Sequence, residues 1–281
     1  MRAYLKEIIL SLVAIAVMLM AIAAYLKVMN QEKANSRVDL FTLAPPTAGT
    51  LLVVNRPAVL ARMMRNYPLL YTVFAQEIPP IFLSVLEEDQ PIRSILFSFH
   101  PQGVLACMPV GSKTAHAIAH DILPEKFKPY LPQKQTENGV DFFYYPETKN
   151  HFFGYYIHNG IWVGSYSRRL LERAASQQQQ GEVLLPREME QLRTSFDPNA
   201  PMNIICPAGE LGLGSGAWVS ADLFMSEGAF CCYGSLPYPV ADSLTGDALA
   251  RRLEGKYPQL QLSFQIRREE ESVALTACSP L

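Results

Sequence analysis

The sequence predicts an α+β fold: an N-terminal transmembrane helix, then antiparallel sheets built from hairpins with packed helices, arranged as two similar lobes. Three observations carry this. An uncharged apolar run fills Ile8–Leu26. Short apolar strands recur in pairs across turn signals, the strongest being Asn159-Gly160, where both residues tolerate positive φ. Helix-period segments separate those pairs, so each half reads as hairpin, helix, then more hairpin, and strands grouped this way pair antiparallel.

These features divide the chain into a membrane anchor over residues 1–29, a stalk over 30–48, a first α+β lobe over 49–180 and a second over 181–281. The anchor follows from length. At 1.5 Å per residue the run Ile8–Leu26 makes a helix of roughly 28 Å, close to the ~30 Å hydrocarbon core. Ser11 and Tyr25 are its polar residues. A cleavable signal has a shorter apolar region of about 7–15 residues. Retention is therefore expected, with cleavage after Ala21-Ile22-Ala23 as the alternative. Arg2 and Lys6 flank one side and Lys27, Lys33 and Arg37 the other, so the positive-inside rule is indecisive. A short tail is commonly left inside. The expectation is a single-pass inner-membrane protein, bound to the bilayer through residues 8–26, with its C-terminal domain in the periplasm. A cytoplasm-facing domain is the alternative.

The remaining elements follow in order. Thr50–Asn55 reads as a strand, and Pro57 opens a helix because its missing N–H has no partner to lose in the first turn. Leu69–Leu86 reads as a helix interrupted at Pro79-Pro80. Arg93–Met108 reads as a hairpin turning at Pro101-Gln102-Gly103, and Lys113–Leu123 as a helix. Val140–Tyr166 gives three strands with turns at Pro146–Asn150 and Asn159-Gly160. Ser167 is placed as the N-cap of a helix over Arg168–Gln180, with Leu170, Leu171 and Ala174 on one face. Beyond it come strands at Met202–Cys206, Ala217–Met225 and Ala229–Ser235. A helix over Asp247–Tyr257 follows, then a closing hairpin of Gln261–Arg268 and Ser272–Cys278.

Composition limits function. Lys and Arg number 24, Asp and Glu 26, for a net charge of −2. That balance argues against a nucleic-acid partner, which would need a basic face. Five cysteines, Cys107, Cys206, Cys231, Cys232 and Cys278, form no C-x-x-C pair, and an odd number cannot all pair within one chain. They read as buried small hydrophobes; the sharper alternative is one cross-strand disulfide, of Cys231 or Cys232 with Cys278.

Candidate sites are few. His116 and His120 stand four apart on a predicted helix and share a face. Two imidazoles at that spacing can chelate a metal, but Ala117 stands where the zincin pattern needs Glu, and no third ligand is evident. His100, His151 and His158 read as structural. Gly212–Ala217 matches G-x-G-x-x-[GA], yet a strand rather than a helix follows it, so it reads as a loop. No G-x-S-x-G elbow occurs. The aromatic stretches Phe142–Tyr145 and Phe152–Tyr156 offer the one hint of a binding surface, since alternate residues of a hairpin face opposite ways.

The anchor, the Pro46–Pro57 segment, the block YYIHNGIWVGSYSRRLLERA and the block Trp218–Gly234 (WVSADLFMSEGAFCCYG) together resemble single-anchor envelope proteins of Gram-negative bacteria grouped as domains of unknown function. The resemblance implies an exported, anchored α+β domain and no catalytic residues. The expected function is a membrane-tethered, non-enzymatic binding or scaffold role in the cell envelope, toward an envelope protein or polymer and without a cofactor. An anchored metal protein or enzyme using His116 and His120 is the alternative.

Overall fold

Strands that are apolar on both faces need cover on both faces. Three lie side by side in the computed structural model of the chain: β1 (Thr50–Val54), β2 (Ile95–His100) and β3 (Gly103–Pro109). The structure describes residues 18–20, 22–23, 38–88, 91–148, 151–181, 185–211, 218–226, 228–237, 246–258, 261, 263–268 and 272–280. The further strands are β4 (Gln133–Glu137), β5 (Val140–Pro146), β6 (Phe152–His158), β7 (Ile161–Ser165), β8 (Met202–Pro207), β9 (Trp218–Ser226), β10 (Ala229–Pro237), β11 (Ser263–Arg268) and β12 (Ser272–Pro280). Among the described residues they form one twelve-stranded sheet in the order β11-β12-β10-β9-β8-β1-β2-β3-β7-β6-β5-β4. Every pairing in it is antiparallel.

Helices cover both faces of the centre. Three begin on proline at the first helical turn: α1 (Pro57–Asn66), α2 (Pro68–Glu77) and α3 (Pro80–Glu87). Their Leu60, Met64, Phe74 and Phe82 pack on Leu52, Phe97, Met108 and Trp162 of the sheet. A composite helix, α4, runs from Ser112 to Lys126 through a π turn at Ile118–Ile122. Across the sheet, Leu170, Leu171 and Ala174 of α5 (Arg168–Gln180) and Met189 of α6 (Arg187–Arg193) pack on Leu51, Val53, Leu96 and Val163. Gly154 lets α5 approach β6: a Cβ there would meet the Leu171 side chain at 2.6 Å and the Tyr144 ring at 2.8 Å. In the C-terminal part, α7 (Gly246–Lys256) is tied to α2, since Tyr257 donates to Glu77 at 2.8 Å and Lys256 pairs with the same carboxylate at 3.0 Å.

The structure corrects the predicted fold class in two respects. There are not two similar lobes with separate sheets: β8 returns to the centre beside β1, so strands from both predicted lobes share one sheet. Nor is there a described transmembrane helix: among the described residues, no helix is long and apolar enough to cross a membrane. Most of Ile8–Leu26 lies outside the described residues; within it Met18, Leu19, Met20, Ile22 and Ala23 are helical and exposed. The membrane anchor from Ile8 to Leu26, the signal-anchor reading and the single-pass inner-membrane placement with a periplasmic domain are withdrawn with it.

Smaller corrections have local causes. Ser167 makes no side-chain cap; its own N–H instead donates to Oγ of Ser165 at 3.0 Å. The break expected in Leu69–Leu86 is present: one helix ends at Glu77 and Pro80 starts the next. Both β4 and α6 went unpredicted.

Candidate functional site

The predicted metal residues are where the sequence puts them. His116 lies in the first part of α4 and His120 in its π turn; both are exposed, and their ring centroids are 4.4 Å apart. No group of three or more His, Cys, Asp or Glu able to hold a metal occurs among the described residues. Gly212–Ala217 lies outside the described residues.

A polar cluster missed in the sequence surrounds His100. Its Nε2 is 2.7 Å from Oγ of Ser98, and its Nδ1 is 3.1 Å from Oγ1 of Thr47. The Ser98–His100 spacing of two residues on one strand, which puts both on one face, was the available signal. Burial pulls the His100 pKa down; a hydrogen bond to the Thr47 backbone opposes this, and the nearby Arg173 adds to the lowering. The ring is thus kept neutral, with one nitrogen donating and one accepting. Ser98 is fully buried beneath it, so the pair can hold a proton but presents no nucleophile to a substrate. Its work is to pin the Pro45–Gly49 loop onto β2. A second network, Asn55–Asn203–Asp222, holds β8 to β1 and β9: Asn55 Nδ2 donates to Asn203 Oδ1 at 2.5 Å, and Asn203 Nδ2 to Asp222 Oδ1 at 2.6 Å.

Two of the free cysteines, Cys107 and Cys232, are chemically quiet. Burial raises the Cys107 thiol far above its ordinary range and pushes Cys232 up to about 12. Neither supplies a thiolate near neutral pH. Cys231 and Cys278 form a disulfide across β10 and β12.

The arrangement with most to offer a partner is the end of the sheet at β4. Among the described residues this is an edge strand, pairing with β5 alone, and Gln133 to Thr136 are exposed. Edge strands usually carry charges that repel a further strand. Here the charges are paired with residues of the neighbouring strand and helix. Lys134 pairs with Asp141 on β5 at 2.7 Å, and Thr136 donates to the same carboxylate at 2.6 Å. These two bonds hold the Asp141 carboxyl below its usual pKa range. Glu137 pairs with Arg168 of α5, which also bonds Glu172.

Exposed apolar side chains gather at the N-terminal end of that strand. Phe127, at the end of α4, stacks on Tyr145 at 4.7 Å and on Phe153 at 5.4 Å. The Tyr130 N–H then donates to the Phe127 carbonyl at 2.9 Å. That turn fixes Tyr130 and Leu131 just ahead of Gln133, which stands opposite Tyr144. Two residues on, Pro146 stands opposite Phe152. Tyr130, Leu131 and Phe152 are 49%, 80% and 45% exposed, high values for apolar groups of this size. The sequence's aromatic stretches had pointed to this region, but most of their rings are core: Phe142, Tyr145, Phe153, Tyr155 and Tyr156 are buried.

Comparison with known proteins adds the fold alone. No family model matches the chain, and no curated protein matches it. Among solved structures it is similar to TP0453 in crystal form I, with a TM-score of 0.51 and 11% identity over 86% of this chain and 94% of that one. Crystal form III of the same protein gives a TM-score of 0.50 at the same identity and coverage. At that identity the likeness is one of architecture: this chain has a fold similar to that of TP0453.

Proposed function

We propose that the chain is a non-enzymatic binding module whose recognition site is the β4 edge and the apolar corner beside it, and that its partner is an extended segment of another protein. The observation that carries this is the union of two features in one place: an edge strand whose charges are paired with residues of the neighbouring strand and helix, and the exposed side chains of Tyr130, Leu131 and Phe152 at its end. An added strand satisfies the outward backbone groups of β4 as water otherwise does, while its apolar side chains take the corner out of solvent. The edge gives affinity for any extended backbone, and the corner selects among sequences.

A displayed library of random linear peptides, panned against the purified chain, tests the reading. The expected result is enrichment of peptides with alternating apolar residues. Burying a leucine contributes about 1.5 kcal/mol or more, so Leu131→Asp should weaken these peptides by about tenfold. Tyr233→Asp, at an exposed aromatic on β10, should leave them unchanged. No enrichment, or peptides indifferent to Leu131→Asp, would overturn the proposal.

A further inference from the structure

We infer that His116 and His120 form a two-histidine chelate for a divalent late transition metal, with zinc as the probe of choice. Four observations converge. Both side chains are exposed on α4. Their rings are neighbours, with centroids 4.4 Å apart and planes tilted by 35°. Among the described residues neither ring forms a hydrogen bond or ion pair that a metal would have to displace. The backbone between them is irregular, with the π turn beginning at Ile118.

The π turn has a sequence cause. A regular α-helix would require the N–H of residue 124 to bond the carbonyl of His120, and Pro124 has none. The ladder widens ahead of it, and the Leu123 N–H reaches back to the Ile118 carbonyl. Such single widened turns recur at functional sites. Here the widened turn begins two residues after His116 and includes His120.

The geometry suits a chelate. Metal–nitrogen bonds of ~2.0–2.1 Å put two donors of a tetrahedral site about 3.3 Å apart. Rings already 4.4 Å apart centre to centre need modest side-chain rotation to reach that spacing. Imidazole nitrogen suits zinc, copper and nickel rather than magnesium or calcium. With two protein ligands, water or an added ligand fills the remaining positions, so the bound metal is exchangeable and open to a third donor. This inference stands apart from the β4 edge: the metal is read on α4 and needs no peptide.

Calorimetric titration of zinc into the metal-free, tag-free full chain tests it. The expected result is one equivalent bound at micromolar affinity, lost by tenfold or more in both His116→Ala and His120→Ala. His151→Ala, at an exposed histidine elsewhere, should keep full binding. Circular dichroism of each variant checks that the fold is retained. Absence of saturable binding, or one-equivalent binding that survives both substitutions, would overturn the assignment. Unaltered peptide binding in the two histidine variants would keep the two sites distinct.

Discussion

Replacing Cys231 and Cys278 with alanine removes the covalent tie between β10 and β12. The two residues are register partners in adjacent strands and lie 47 residues apart in sequence. The loop they close contains α7, β11 and most of β12. On the chain-entropy account, a crosslink closing a loop of that length stabilises the fold by about 4 kcal/mol at room temperature. A urea slope of about 2–3 kcal/mol per molar then converts the loss to a midpoint lowered by about 1.3–2 M. Urea denaturation followed by circular dichroism measures this, and reduction of the unmodified chain should reproduce most of the shift without changing any side chain. Thiol titration in denaturant supplies the companion count: three reactive thiols, from Cys107, Cys206 and Cys232, without reductant, and five with it. A midpoint shift below about 0.3 M, or five reactive thiols without reductant, would refute the reasoning.

Two further predictions concern a buried and a half-buried polar group. The hydroxyl of Tyr145 is buried and finds no hydrogen-bond partner among the described residues, so Tyr145→Phe should leave stability unchanged or raise it by up to about 1 kcal/mol; denaturation that shows a loss of that size would contradict this. His100 has a folded-state pKa below its unfolded value of 6.5, so the unfolded chain binds the proton more readily. Its stabilising contribution is full above that pH and is lost as pH falls through the folded-state value. Denaturation midpoints between mildly alkaline and mildly acidic pH should therefore fall, and fall less in His100→Gln; equal slopes in the two proteins would contradict the assignment.

What could be read from the sequence was local. The strand Thr50–Val54, the helix opened by Pro57, the hairpin over Pro101–Gly103 and the helix Arg168–Gln180 each carry their own periodicity and breakers. The union of all strands in one sheet does not, because β8 pairs with β1 across some 150 residues of chain, as in Leu51 opposite Ile205. Nothing local in either strand specifies that pairing. The edge strand β4 was missed for a different reason. Gln-Lys-Gln-Thr-Glu has no apolar face to alternate, since the strand is exposed and packs against no core. Its turn was nevertheless written in the sequence: Asn138 and Gly139 both take positive φ, as the Asn-Gly pair at 159–160 does. The Asn138-Gly139 pair closes the hairpin of β4 and β5, with Glu137 opposite Val140. The histidine pair was legible from spacing alone, whereas the exposure of Leu131 and Phe152 against buried Phe153 and Tyr145 depends on the packing of Phe127.

Hydrogen exchange on the chain with and without a library-selected peptide tests the β4 edge most directly. The account predicts slowed exchange confined to Tyr130–Glu137 and the adjoining turn, with the edge strand β11 unaffected. Protection at β11 or on a helical face, with β4 unchanged, would contradict it.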